Sequence, residues 1–501
     1  MLKSNHIRTV AIILAVSLAL RWGLILKDGQ YYFSDEGRYE TSRTFAKLAI
    51  DGKLNEAFSQ FFIAPEHLGF KIIGIIPAVF EQFTRESLVI PALFFSLFSV
   101  LNLFLIYHIS KRTGAADRES LTALLLSASS MSLLYYSRHL LPYDTAMTFG
   151  LLAVYAALDE KPNFKSSLAC GALGFACFIT YNGYWPLAVL GMLISSLRGG
   201  RSPTKQSLNR EAMSILQRGL YATVGFILPA VLLFAVANAS GINILKEYRT
   251  FSTTVSQGQF DEGWSLPFEY FWHAEHWLFL LLVLLSGYAV FSSEGKDGAI
   301  NFWAGAAIFI YLCLLIPSVF LNLFVVYGRL ARQMLPFLLL LSANGFERLE
   351  QQISFGKNLT KILLAMIAIQ TAWNYQASYT LTYPREFAKQ AQSLRPEFVF
   401  SEKRLAFGAP TLCQNRGYVI EYVKHFEVPP EPNPPVQGQL LLSAPHPDNF
   451  LPYQYEGYTY DQRQQFRTLQ IEMRFYKADD EFMSDGNPIW KTMKSCLVGG
   501  E

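Results

Sequence analysis

Charge is what this sequence has least of. Of its 501 residues 16% are charged, while 51% are hydrophobic and 15% aromatic; a soluble domain carries about 25% charged residues. Mean hydropathy is +0.22. This balance fits a polytopic membrane protein better than a large soluble enzyme. The net charge of +3 is too small to argue for nucleic acid as a partner. Cysteine is scarce too: five residues, with no metal-ligand spacing among them. Cys170, Cys177 and Cys313 lie in apolar runs and read as packing residues. Cys413 and Cys496 lie in the polar C-terminal part and are candidates for a disulfide if that part is outside the cytoplasm. The chain also lacks a nucleotide-binding glycine motif and an internal repeat. No small-x-small cleavage site follows the first apolar run, Thr9 to Leu26, which comes after Lys3 and Arg8. That run therefore reads as an uncleaved anchor.

Further apolar segments lie near 88–110, 120–137, 144–158, 166–181, 184–197, 218–238, 276–292, 300–322, 331–347 and 359–376. The stretch His67 to Phe83 is awkward: as a helix it reaches roughly 24 Å against a hydrocarbon core of ~30 Å, and it carries Lys71, Glu81 and Pro77. The distribution of basic residues decides its placement. If it does not span, the inner loops collect Lys3, Arg8, Lys111, Arg112, Arg118, Lys161, Lys165, Arg198, Arg201, Lys205, Arg210, Arg218, Lys296, Arg348 and Lys357. The short outer loops then keep Arg138, Arg329 and Arg332. If it did span, every later loop would change sides. The expectation is a mainly α, polytopic bundle of about eleven spans, N-terminus in and C-terminus out. Residues 1–376 form the membrane domain, with an outer loop at 27–87, and 377–501 form a small extracytoplasmic α/β domain.

Within the outer loop, Leu54, Ala57, Phe58, Phe61 and Phe62 follow the i, i+3, i+4, i+7, i+8 spacing of an amphipathic helix. Phe45, Leu48 and Ala49 do likewise on a preceding helix. Such helices would lie on the membrane surface and hold Asp35 and Glu36 at headgroup level. In the tail, Leu469, Ile471, Met473 and Phe475 alternate with Gln470, Glu472 and Arg474, the signature of a strand. Residues 418–423 and 438–444 are further strand candidates, and "PPEPNPP" at 429–435 is an extended connector.

An anchor, an outer loop with an Asp-Glu pair, surface helices and a span make a pattern that resembles the GT-C glycosyltransferases. It is most similar to the protein O-mannosyltransferase and lipid A aminoarabinose transferase group, glycosyltransferase family 39. "SDEGRYETSRTFA" resembles their "DE-x-RY" stretch, with Asp35, Glu36, Arg38 and Tyr39 in matching places. Ser137, Arg138 and Asp144 in "SLLYYSRHLLPYDTAMTFG" resemble the Ser/Gly-Arg…Asp element of the next outer hairpin. "YGRLARQMLPFLLLLSANGFERL" resembles the family's basic-aromatic approach to a late span. The resemblance runs well over about 1–200, is patchy to 350 and weak in the tail. It departs at "APEHLGFK", where a Pro-Pro element has become Pro65 alone, and at Asn182 in "TYNGYW", where a lysine is common.

What the resemblance implies is inverting transfer of a sugar from a polyprenyl-phosphate donor to a protein, lipid or glycan acceptor on the outer face. A bacterial inner membrane is the expected location, since the large lumenal insertions of eukaryotic relatives are absent. Such a displacement wants a base for the acceptor proton and cations for the phosphate. Asp35 is the candidate base, a role typically worth ~10²–10⁴-fold, and Glu36 orients a neighbouring group or the acceptor. Arg38, Tyr39, Lys71, Arg138, Asp144, Arg329 and Arg332 are the candidate substrate-binding residues; guanidinium and ammonium groups suit phosphate through charge-assisted hydrogen bonds. The competing readings are a solvated acidic loop for the Asp-Glu pair, headgroup snorkelling for the cations and a helix cap for Asp144. His273, Glu275 and His276 invite a metal reading, but their spacing is not a zinc pattern. The pattern neither requires nor excludes a divalent metal. A transporter or flippase of lipid-linked sugars, or a non-catalytic scaffold, are the alternative functions; a transporter would want functional charges near the midplane.

Overall fold

The structure is a computed structural model. It describes residues 2–27, 34–63, 65–84, 87, 89–159, 163–197, 215–255, 264–293, 297–321, 323, 328–353, 356–379, 393 and four strand segments beyond 410. The strand side chains, and those of some helical residues including Asp35 and His273, lie outside the description.

In lipid every backbone N–H and C=O must be paired within the protein, which favours helices, and the expected apolar segments, except 120–137, each coincide largely with one. In chain order they are α1 (Leu2–Leu26), α2 (Tyr39–Ile50), α3 (Leu54–Ile63), α4 (Leu68–Phe83), α5 (Val89–Arg112), α6 (Asp117–Ser129), α7 (Met131–Leu134) and α8 (Tyr143–Ala157). Then come α9 (Phe164–Thr180), α10 (Trp185–Leu197), α11 (Ile215–Ala239), α12 (Ile244–Val255), α13 (Leu266–Glu275), α14 (Trp277–Ser292), α15 (Gly298–Leu315), α16 (Leu335–Gln352) and α17 (Gly356–Tyr379). Among the described residues four helices are long and apolar enough to cross a membrane: His6–Leu26, Val89–Arg112, Ile215–Ala239 and Gly298–Phe320. By this measure the chain has the build of a multi-pass membrane protein.

Polar contacts fall into two sets at opposite ends of the bundle. Near the start of α1, His6 hydrogen-bonds Tyr107 of α5 at 2.7 Å. At that end Arg112 pairs with Asp159 at 3.1 Å, Arg118 with Glu350, and Arg348 with Asp297 at 2.5 Å. Near the close of α1, Arg21 donates to Ser99 Oγ at 2.9 Å and to the Leu133 carbonyl at 2.9 Å. The loops after α1, α7 and α9 and the approach to α16 meet at this second end, which carries the candidate site.

Helix α2 presents a different face from the expected one. Tyr39, Ser42, Arg43 and Ala46 are its buried residues, while Phe45 packs on Phe58 and Phe61 of α3 with ring centroids 5.2 and 5.1 Å apart. The polar face goes inward because α4 supplies a carboxylate: Glu81 accepts from Arg43 Nε at 2.8 Å and Nη2 at 2.9 Å, and from the Tyr39 hydroxyl at 2.9 Å. Glycines let α4 lie close to its neighbours. A Cβ at Gly74 would stand 2.7 Å from Ser42 Oγ, and one at Gly69 would stand 2.9 Å from the Thr180 backbone nitrogen.

The segment expected as one span at 120–137 is broken into α6, α7 and a 3-10 turn, Tyr135–Arg138. The cause is Glu275 at the end of α13. Its carboxylate is fully buried and accepts from Ser130 Oγ at 2.6 Å and from the Met131 and Ser132 backbone nitrogens at 2.9 Å each, so a new helix start is stabilised there.

Beyond 410, β1 (Thr411–Cys413), β2 (Tyr418–His425), β3 (Gly438–Pro445) and β4 (Thr468–Lys477) form an antiparallel sheet in the order β1-β2-β4-β3. Val419 pairs with Tyr476 and Leu440 with Met473. Cys413 is in β1; Cys496 and the connector at 429–435 lie outside the described residues.

Candidate active site

The Asp-Glu pair sits on a 3-10 turn, Ser34–Arg38. Glu36 is fully buried. Its carboxylate accepts the Leu140 N–H at 2.7 Å and faces His139 Nδ1 at 3.3 Å. An ionised carboxylate taking a backbone N–H makes one of the stronger hydrogen bonds, so Glu36 fastens the first loop to the 138–144 segment. Asp35 shares the turn, and its side chain lies outside the described residues.

Three of the expected phosphate-binding cations meet around a residue that sequence reasoning passed over, His67. Arg38 Nη1 donates to His67 Nδ1 at 3.0 Å. That nitrogen is therefore unprotonated. Burial, and then Arg38, Lys71 and Arg329, hold the imidazole well below its usual pKa. His67 takes φ of 51°, a left-handed conformation at the start of α4 that turns the chain and sets Lys71 one helical turn further on. The Lys71 side chain is 1% exposed, with Glu66 4.0 Å away. Burial first, and Arg38 second, lower its pKa to about 8 against the opposing pull of Glu66. Arg329 donates through Nε to the Tyr181 hydroxyl at 3.3 Å and lies over the Tyr143 ring at 5.2 Å. Tyr181 in turn packs on His67, ring centroids 5.0 Å apart. Arg38, Lys71 and Arg329 around one imidazole are a set of groups that suits an anion such as phosphate.

Arg332 and Asp144 form a separate pair deeper in. Arg332 is fully buried, and its Nη2 reaches Asp144 Oδ1 at 2.5 Å. Its guanidinium covers the Tyr136 ring at 4.6 Å. Arg21 lies within electrostatic reach of both partners; inside an apolar run it gave no sequence signal. Arg138 is buried beside His139. Tyr39, expected to touch substrate, gives its hydroxyl to Glu81, and burial, then Glu81, push its pKa up. Its place is in the scaffold under the loop. Of the His-rich motif, Glu275 is committed to α7 and His276 is the joint between α13 and α14, with φ of 50°. His273's side chain lies outside the described residues. Among the described residues no group of three His, Cys, Asp or Glu is arranged to hold a metal.

No protein-family model and no curated protein matches this chain. Among solved structures, ArnT from Cupriavidus metallidurans in the apo state is similar at 14% identity over 77% of this chain and 72% of that one, with a TM-score of 0.49. ArnT from the same organism bound to undecaprenyl phosphate is similar at 15% identity, with the same coverages and a TM-score of 0.47. At this level a likeness carries no argument about activity.

Proposed function

We propose that this chain is an integral-membrane glycosyltransferase that moves a sugar from a polyprenyl-phosphate donor to a protein, lipid or glycan acceptor on the outer face of a bacterial inner membrane. The observation that carries this reading is the meeting of Arg38, Lys71 and Arg329 around a neutral His67, beside the turn that bears Asp35 and Glu36. The acceptor oxygen attacks the anomeric carbon and gives its proton to Asp35. The bond from that carbon to the phosphate oxygen breaks, its electron pair leaves with the carrier phosphate, and the anomeric centre inverts. The second negative charge that the phosphate gains is met by Lys71, Arg38 and Arg329. Glu36 acts as a positioning residue. It is already engaged by Leu140 and His139, and it keeps the base loop against the bundle. In this reading about eleven helices span, the N-terminus is cytoplasmic, and 377–501 is an extracytoplasmic domain over the site.

The test is mass spectrometry of lipids and envelope glycans from cells with the gene, without it, and with Asp35→Asn. The expected result is one missing glycan and an accumulated carrier-linked sugar in the second and third, with in vitro transfer by the variant down by ~10²–10⁴-fold. Unchanged glycans without the gene would remove the transferase reading. Full complementation by Asp35→Asn would remove Asp35 as the base.

A further inference from the structure

Resting on that reading, we infer that Glu275 is a positioning residue of the transfer. It holds open the break between α6 and α7, which sets where the Leu140 N–H stands and, through Glu36, where the base-bearing turn stands. The break lies at Ser130, whose ψ of 129° is extended between two helices. A helix that stops frees carbonyls at its end, and the next one frees N–H groups at its start. Away from water both need partners from elsewhere in the protein. Glu275 of α13 supplies the acceptors. Its Oε1 takes Ser130 Oγ at 2.6 Å and the Ser132 N–H at 2.9 Å, and its Oε2 takes the Met131 N–H at 2.9 Å. Asn374 of α17 supplies a donor: its Nδ2 gives to the Ser129 carbonyl at 2.8 Å, while its Oδ1 is held by Gln370 at 3.0 Å. The Leu133 carbonyl is taken by Arg21 of α1 at 2.9 Å and by Ser99 of α5 at 2.8 Å. Side chains of α1, α5, α13 and α17 thus brace residues 129–133.

The braced stretch runs directly into the site. After it come the Tyr135–Arg138 turn, then His139 and Leu140, on which Glu36 closes at 3.3 and 2.7 Å, then Asp144 with its partner Arg332. Glu275 is fully buried, and its two acceptor oxygens suit three donors. An amide in its place keeps one oxygen and turns an NH2 donor on the others. Without the carboxylate, the Met131 and Ser132 N–H groups find partners by closing the helix onto carbonyls one turn back. An extended residue advances about 3.3 Å and a helical one about 1.5 Å, so closure at Ser130 draws the following chain back by about 2 Å. The Leu140–Glu36 hydrogen bond of 2.7 Å does not survive such a shift. The phosphate cluster is held by other means: Lys71 stands on α4, Arg329 in the Gly328–Met334 turn, and Arg38 on His67. Loss of Glu275 therefore acts on the base turn before it acts on the carrier.

The experiment uses the full-length protein in nanodiscs and the same protein restored to cells lacking the gene. Three quantities are read: deuterium exchange of the peptide holding Leu140, affinity for polyprenyl monophosphate, and the rate at which the missing glycan reappears after induction, at matched protein level. Glu275→Gln is expected to speed exchange at Leu140 by about 10-fold or more, as loss of a hydrogen bond to a charged group does. It should slow glycan formation by about 10–100-fold, the effect of misplacing a reacting group by about 1 Å, and leave carrier affinity unchanged. Ser130→Ala removes one donor to Glu275, and Asn374→Leu removes the partner of the Ser129 carbonyl. Both are expected to show the same pattern at about 3–10-fold, and they decide the matter if Glu275→Gln does not fold. Arg112→Gln, which breaks the Asp159 pair at the opposite end of the bundle, is expected to alter neither Leu140 exchange nor glycan formation. Unaltered exchange at Leu140, unaltered glycan formation, or a fall in carrier affinity that matches the fall in rate overturns the inference and leaves the transferase reading intact. An equal slowing by Arg112→Gln does the same, since it would make the effect one of general stability. Glycans that do not depend on the gene at all overturn both.

Discussion

Replacing Lys71 by methionine separates a phosphate-binding lysine from a structural one. Lys71 is 1% exposed, with Glu66 4.0 Å away. Its displacement from 10.5 to about 8 amounts to about 3 kcal/mol against the charged form. On balance the surroundings of Lys71 disfavour its charged form, so Lys71→Met is expected to leave the unliganded protein at least as stable as the wild type at pH 7. It should also weaken polyprenyl-phosphate binding by about 10–100-fold, the worth of a hydrogen bond to a charged group. The pH dependence has a definite sign. Between about 8 and 10.5 the folded wild type holds fewer protons at this position than the unfolded chain, so this group makes stability rise with pH across that window. Carrier affinity moves the opposite way, falling as pH passes about 8 and the ammonium is lost. The variant should show neither dependence. Thermal unfolding in detergent, with and without the carrier, and a carrier titration from pH 6.5 to 9.5 read all of this. A lowered melting temperature with carrier affinity intact would refute the reasoning.

Glu81→Gln should destabilise the protein by about 1.5–3 kcal/mol, because it removes the buried carboxylate that Arg43 shares with Tyr39 and leaves Glu40, 2.7 Å from Arg43 Nη1, to carry the pairing; four hydrogen bonds converge on Glu81 from Arg43, Tyr39 and Ser87, and thermal unfolding measures the loss. Cysteines placed at two exposed positions report sidedness: Lys53→Cys, between α2 and α3, should react with an impermeant maleimide on intact cells, and Lys165→Cys, at the start of α9, only after permeabilisation. Glu36→Gln should lower carrier-dependent turnover chiefly through kcat, since its contacts with Leu140 and His139 position the base loop; a change confined to KM would contradict that role.

Much of the helical layout was legible because lipid imposes a simple rule: an apolar run long enough to cross must be helical. The apolar segments from Thr9 to residue 376 fall on helical structure for that reason, with 120–137 interrupted; the strand at 468–477 follows its alternation, and those at 418–425 and 438–445 coincide with the other two strand candidates. What periodicity does not carry is which helix meets which. The burial of Arg43 has no local mark because its partner Glu81 is 38 positions away, and the fastening of Glu36 to Leu140 crosses 104. Arg21 was hidden in an apolar run, where a lone charge is expected to snorkel; Ser99 and Leu133 hold it inside instead. His67 stood beside Lys71 in "PEHLGFK", but a left-handed φ on a histidine has no sequence mark. Glu275 was read with its histidines, and the structure spends it on the start of α7. Arg38, Lys71 and Arg329 are legible in the sequence only as separate outer-face cations; their convergence on His67 comes from the packing of α4 against α2 and α9.

The most direct test of the central claim is the position of the carrier phosphate, seen in an electron-microscopy map of the protein in nanodiscs with polyprenyl monophosphate. The account predicts phosphorus density between Arg38, Lys71 and Arg329, beside the turn bearing Asp35. Density at the opposite end of the bundle instead, such as the groove of about 590 Å³ that Leu193, Ile194, Phe302 and Phe309 help to line, would contradict it.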